Sequence, residues 1–402
     1  MLFTLIRNEL VKMFKKGKTW IVFILFALFM GFMMYGAKVD SDNMGYYSSV
    51  DGQIESLERS IEYEKEIINN NKKEGIDKSE LEISIQNSQK QIDRLKSIAD
   101  KKDEPDFWKE QIRIEKEQLQ SQIDMENSTG EYDSYAKNRI KEIDEALESG
   151  IEPVEEWVFN AVNFSNNFIN IIGTVILAVG IAVFMSDIVS GESTPPTLKF
   201  LLVQPISRGK VLLSKFIATI ITVVGLIGGL ELLAYGILGL FTGFDSGKIP
   251  TTIGIKYKWD YTNIEQMGTP QLITVDGSGI SSTRGELFLS SFALQILFII
   301  TCCACIFLIS SIFKSSMVTM AISVIVSVAT TIISAASSTV QKVAHLIFFN
   351  YGDTKNVIVG GVAEMYRNIN FSPYTGIIVM LVTTVICYVI AHIVFSKKDM
   401  LI

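Results

Sequence analysis

The sequence is poor in the residue types that usually do chemistry. It holds four cysteines and two histidines in 402 residues. Cys302, Cys303, Cys305 and Cys387 all lie inside apolar runs without polar metal-ligand neighbours, so they read as small core residues. That excludes a disulfide scaffold and a zinc site. His345 and His392 have no carboxylate close by in sequence, and no catalytic constellation forms around either. No G-x-x-x-x-G-K-[ST] motif occurs, so the chain cannot bind ATP through a P-loop of its own. The Gly277–Gly279 pair in Asp276-Gly-Ser-Gly is a turn signal and nothing more. An excess of positive charge is missing too. With 36 Lys+Arg against 43 Asp+Glu, the net charge of −7 excludes a basic nucleic-acid binder.

What is present is divided unevenly. Between Lys38 and Glu156 stand 17 basic and 31 acidic residues, a net of −14; the remainder is apolar and carries +7. Crossing a bilayer takes about 20 apolar helical residues. Thr19–Ala37, Trp157–Ser186, Leu287–Phe313, Ser315–Gln341 and Phe371–Ser396 are free of charge, and Phe216–Phe244 is interrupted only by Glu231. Six spans are therefore expected, over 19–38, 157–186, 216–244, 287–313, 315–341 and 371–396. The first could be a secretory signal, because basic residues precede it. It is too long for a signal core of about 7–15 residues and lacks a small-residue cleavage site after Met33.

The positive-inside rule orients the spans. Arg7, Lys12, Lys15, Lys16 and Lys18 crowd the entrance to the first, whereas Lys38 stands alone on its far side. Both termini are then expected in the cytoplasm, the second with Lys397 and Lys398 in a tail over 397–402. The 187–215 loop, with Lys199, Arg208, Lys210 and Lys215, would lie on the same side. Outer positions for 245–286 and 342–370 rest on alternation alone. Residues 1–18 place Leu2, Phe3, Leu5, Ile6, Leu10, Met13 and Phe14 largely on one helical face, the composition of a helix lying in the inner membrane interface.

Residues 39–156 read as an extracytoplasmic helical domain. Apolar positions alternate at spacings of four and three through Leu81, Ile85, Ser88, Ile92, Leu95 and Ala99. Ile54, Leu57, Ile61 and Ile68 repeat the pattern, as do Ala136, Ile140, Ile143 and Leu147. Such seams belong to coiled-coil-like packing. Turn-rich breaks near 69–75, 103–106 and 127–130 predict three or four antiparallel helices of about 20 residues each. The acidic excess is either a solvated surface or a means of capturing cationic peptides.

The stretch from Ser186 to Lys215 carries a family resemblance. A glutamate, a Thr-Leu step, two leucines, a Pro-Ile-Ser-Arg turn and a lysine opening the next span appear as Glu192, Thr197, Leu198, Leu201, Leu202, Pro205, Ser207, Arg208 and Lys215. This resembles the loop between the second and third spans of ABC-2-type ABC transporter permeases. Pro195-Pro196 departs from the pattern, which usually has polar residues and a glycine there. The segment from Arg7 to Lys16 resembles the family's amphipathic first helix, and Ser396-Lys-Lys-Asp-Met its ending. A large insert after the first span marks a subset of the family that includes bacterial sodium- and antibiotic-efflux relatives. The resemblance implies a transmembrane dimer, homomeric or heteromeric, driven by two separate cytoplasmic ATPase subunits that carry ATP and Mg. A short helix over 197–204 would dock on each ATPase. This chain would itself be neither an enzyme nor a cofactor binder.

The expectation is an all-α membrane protein in the bacterial cell membrane: six transmembrane helices, an amphipathic N-terminal helix and an outer helical domain. Its function would be the permease subunit of an ATP-driven exporter for a peptide antibiotic, a lipid-like molecule or a cation. The competing reading is a membrane-anchored sensor or scaffold, but six spans and a docking loop exceed what an anchor requires. Glu231, deep in the third span, is a candidate for the translocation path, because embedded carboxylates usually face protein or water. The alternative is a protonated or hydrogen-bonded carboxyl at a helix interface, which Gly225, Gly228 and Gly229 would favour by permitting close approach. Short re-entrant or interfacial helices are expected over 342–370, and a small loop or hairpin over 245–286.

Overall fold

A computed structural model describes residues 2–70, 78–99, 106–129, 134–193, 207–262 and 268–397. They form two compact units, one of Met1–Met33 with Asn160–Ile402 and one of Met34–Phe159.

The helices α1 (Leu2–Lys15) and α2 (Gly17–Ser48) open the chain, and α2 continues as helix well past the expected end of the first span at 38. In the second unit follow α3 (Val50–Asn70), α4 (Lys78–Ala99), α5 (Phe107–Thr129) and α6 (Ser134–Ser149). Their seams are those of the apolar spacing. Ile61, Ile92, Ala136 and Ile143 are buried, and Ile112, Ile143 and Ala146 form a small core with Trp108, Leu119 and Leu147 packed on it. Helix α3 packs on α4, and α5 on α6. Arg139 joins the latter pair, donating from Nε to Glu115 at 2.7 Å.

The first unit continues with α7 (Ala161–Gly173), α8 (Ile176–Met185), α9 (Arg208–Thr242), α10 (Arg284–Ile312), α11 (Ser316–Ala336), α12 (Ser338–Gln341), α13 (Thr354–Val359), α14 (Gly361–Met365) and α15 (Pro373–Lys397). Among the described residues five helices (α2, α9, α10, α11 and α15) are long and apolar enough to cross a membrane. Helices α7 and α8 pass the same test only together and are bent by 65°. The span expected over 157–186 is therefore occupied by a broken pair, not by one continuous helix. At the break the backbones of Gly173 and Gly352 touch so closely that neither position has room for a Cβ. The helix expected over 315–341 also divides, at Ser337, whose extended backbone ends α11. Every buried residue of α11 is a hydroxyl: Thr319, Ser323, Ser327, Thr331 and Ser334.

Helix α10 is the centre of this unit, packing on α7, α8, α9, α11, α13 and α15. A capping box starts it: Thr283 accepts from the Glu286 amide while Glu286 reaches back to the Thr283 amide. Phe288, Phe298, Ile299, Cys302, Cys303 and Phe307 are buried along its length. The 245–286 segment is two short antiparallel ladders, more structure than a loop. The outer ladder pairs β1 (Pro250–Ile253) with β4 (Ile280–Thr283), and the inner one pairs β2 (Tyr257–Asp260) with β3 (Gln271–Thr274). Gly254 and Ile255 donate their amides to Ile358 and Val359, fastening the turn after β1 to α13.

Candidate coupling site and two buried carboxyls

Helix α1 meets α9 through one face only. Met13 is buried there, whereas Phe3, Val11 and Phe14 are exposed beside Arg7, Lys12 and Lys15. The single apolar face expected for α1 is therefore divided. Within the contact Lys215 is 2% exposed, and its ammonium donates to both Glu9 oxygens at 3.0 and 3.1 Å. The lysine that ends the 187–215 segment is thus an internal tie between α9 and α1. Burying a cation is costly, and a paired carboxylate offsets that cost only when geometry is good. Thr222, two turns on, donates to the Met13 sulfur at 3.6 Å.

The corner between α1 and α2 is fixed by side chains closing orphan carbonyls at the end of α1. Thr19 donates to the Met13 carbonyl at 2.7 Å, and the Trp20 indole to that of Phe14 at 2.9 Å. Lys16 and Lys18, on either side of the corner, reach Asp187 at 3.3 and 2.8 Å. Burial alone would raise the Asp187 pKa. The hydrogen bond from Lys18 and the charges of Lys18 and Lys16 outweigh burial and hold the carboxyl below its ordinary range. The Ser310 hydroxyl accepts from the amides of Val189 and Ser190 at 3.2 and 3.1 Å, pinning the exit from α8 to the end of α10.

The 187–215 segment is thus fastened at both edges to α1 and the start of α2. Glu192 lies in a 3-10 turn over Ser190–Ser193. Arg208 opens α9 and donates to the Ser396 carbonyl at 3.4 Å. Thr197, Leu198, Leu201, Leu202 and Pro205 lie outside the described residues, as do Pro195 and Pro196. The sequence reading overlooked Glu9 and Asp187. Glu9 is the only acid among the first 18 residues, and Asp187 is the first charge after a long apolar run. An isolated opposite charge of that kind was the available signal.

Helix α7 carries a second overlooked feature. Asn160, Asn163, Asn166, Asn167 and Asn170 punctuate an otherwise apolar stretch. Asn160 caps the helix, accepting from the amides of Val162 and Asn163 at 3.1 and 2.9 Å. Asn163 accepts from the Arg284 guanidinium at 3.1 Å, and Asn166 donates to the Arg284 carbonyl at 3.1 Å. Asn170 donates to both Asp353 oxygens at 2.9 Å. The Asn356 amide and carboxamide add donors to Asp353 at 3.2 and 2.7 Å. Desolvation raises the Asp353 pKa, and the donors from Asn356 and Asn170 together with the Lys355 charge oppose it in part. This cluster fastens the short helices of 344–371 to α7 beside the Gly173–Gly352 contact.

Glu231, the candidate for the translocation path, is 5% exposed between α9 and α10. Gln295 donates to its Oε1 at 3.1 Å. Gly228 lets Ile296 and Phe292 of α10 approach, and Gly225 and Gly229 meet nothing within 4 Å.

A sequence model described as "ABC-2 family transporter protein" matches residues 3–400, and the chain belongs to that family. It is a membrane component of an ABC transporter, not itself the catalytic subunit, in a family that generally works with ABC ATPase partners. No curated protein matches the chain.

Proposed function

We propose that this chain is the permease subunit of an ATP-driven exporter whose 187–215 loop takes up the motion of a separate cytoplasmic ATPase. The observation that carries this reading is the double tether. Asp187 at one edge of the loop is bound to Lys16 and Lys18, and Lys215 at the other edge is bound to Glu9. A displacement of the loop then moves α1 and the root of α2 together instead of being absorbed by slack chain. The termini and the loop lie in the cytoplasm, and Arg208, Lys210 and the exposed Arg7, Lys12 and Lys15 make that side basic toward acidic ATPase surfaces or lipid phosphates. Glu192, Thr197, Leu198, Leu201 and Leu202 make the ATPase contact. Two permease chains complete the pore, and ATP and Mg reside on the ATPases.

The substrate is a peptide antibiotic, a lipid-like molecule or a cation. The acidic helices of 39–156 support a cationic peptide, captured outside the membrane. Co-expression with an ATPase, followed by substrate-stimulated hydrolysis, tests the reading. Arg208→Glu and Leu198→Asp should insert normally yet lose the coupling of hydrolysis to export. Normal export in both variants would sink the assignment. Deleting 53–148 separately tests peptide capture: unchanged peptide export would end that idea alone.

A further inference from the structure

Glu231 is the only acidic residue of α9. By helix rise it stands about 24 Å from Lys215 and about 16 Å from the far end of the helix. Among the described residues no element packed beside it supplies a counter-charge. Helix α7 has no titratable residue, and the charges of α10 are Arg284 and Glu286 at its start, about 16 and about 14 Å before Gln295. The charged groups of α1 lie at the Lys215 end. On α15 the titratable residues Tyr388 and His392 lie toward that same end, beside Phe216 and Gly209, and Tyr374 and Cys387 complete the helix's set before Lys397.

The polar atoms of this seam do not balance. Glu231 Oε1 accepts from Gln295 Nε2, but among the described residues Glu231 Oε2, Gln295 Oε1 and Ser291 Oγ have no hydrogen-bond partner. Gln295 and Ser291 are both fully buried. Orphaned acceptors at this depth are costly, about 1–3 kcal/mol each. Water does not reach them easily: Tyr235 stacks on Phe288 at 4.6 Å on one side, and Ile296 and Phe292 close on Gly228 at the other.

A single proton removes the imbalance. Placed on Glu231 Oε2, it cancels the charge and supplies a donor for Gln295 Oε1. The carboxyl and the carboxamide then exchange two hydrogen bonds in a closed ring, and the Ser291 hydroxyl brings its own proton. A metal ion fits less well. The Gln295 N–H points into the set, and α9 and α10 are continuous helices whose carbonyls are engaged in their own ladders. We propose that Glu231 is a proton-binding site, its un-ionised carboxyl paired with the Gln295 carboxamide. Its proton exchanges with water only when α9 and α10 part.

Infrared spectra of the purified full chain in detergent micelles at neutral pH test this directly. Wild type minus Glu231→Gln should show the carbonyl stretch of an un-ionised carboxylic acid, lost in the variant and slow to shift in heavy water. Gln295→Met should displace that band without abolishing it. Should Glu231→Gln fail to fold, labelling the wild type with 13C-glutamate should move the same band. A carboxylate stretch lost in its place would overturn the assignment. So would a sodium-dependent change in the wild-type spectrum that Gln295→Met abolishes, which would make the site one for a metal cation.

Discussion

Two buried carboxyl groups in the membrane unit are held in opposite ways. Asp353 sits among donors, two from Asn170 and two from Asn356, so its oxygens are filled from outside. Glu231 has one donor, and its own Oε2 and the Gln295 Oε1 are left as orphaned acceptors. Burial is nearly the same, 5% exposed in each case. What differs is the surplus: donors around one, acceptors around the other. The isosteric change of acid to amide should therefore be harmful at Asp353, whose oxygens are filled by donors, and harmless at Glu231, where a neutral carboxyl gives way to a neutral amide.

The largest effect should come from a carboxylate stripped of its donor altogether. Lys215→Met leaves Glu9 half-enclosed against α9 without its cation, and thermal unfolding in micelles should show a loss of about 3 kcal/mol. If stability is unchanged, donor count is the wrong measure. Asp353→Asn comes next. Its new amide hydrogens must face Asn170 or Asn356 donors, which costs about 2 kcal/mol and should appear as earlier unfolding. Asp187→Asn should cost less than about 1 kcal/mol, since the ion pairs are partly solvated. The depressed Asp187 pKa fixes the sign of its pH dependence. The tether's contribution is complete above the ordinary aspartate pKa of about 3.9 and is lost only as pH falls through the lower folded value. Between about pH 5 and about pH 8 wild type and Asp187→Asn should thus differ by a constant amount, and a difference that changes in that range would refute the pairing. Smallest of all, Glu231→Gln should unfold within about 0.5 kcal/mol of wild type, because two carboxamides form the same closed pair as acid and carboxamide. A loss as large as that of Asp353→Asn would erase the contrast.

The spans were legible because a bilayer sets a length, and runs such as Leu287–Phe313 meet it without a charge. The apolar faces of α3–α6 were legible for the same kind of reason, since buried Ile61, Ile92 and Ile143 fall in runs of helical period. The bend between α7 and α8 was not. Gly173-Thr174 interrupts neither hydropathy nor charge, and the backbone that packs against the break lies about 180 residues away at Gly352. The Lys215–Glu9 pair was not legible, because sequence records a cation at a span entrance but not the acid that faces it. The resemblance of 186–215 identified the family, while its central residues 197–205 lie outside the described structure. Glu231 was visible as an anomaly. Only the geometry of Gln295 and Ser291 turns that anomaly into a chemical statement.

The hydroxyl row of α11 carries a mechanical meaning. Thr319, Ser327 and Thr331 each donate to a carbonyl of their own helix, at 3.0 Å in every case. Their polarity is thus consumed locally and presents a small, smooth flank to α8 and α10. Ser334 differs: it accepts from Asn350 at 3.0 Å and is tied to the 344–371 segment. At the opposite tip the Ser316 hydroxyl accepts from that of Ser190 at 3.3 Å, so α11 is held by hydrogen bonds near both ends. Sliding the shaft between those two ties against α8 and α10 breaks no hydrogen bond made by Thr319, Ser327 or Thr331.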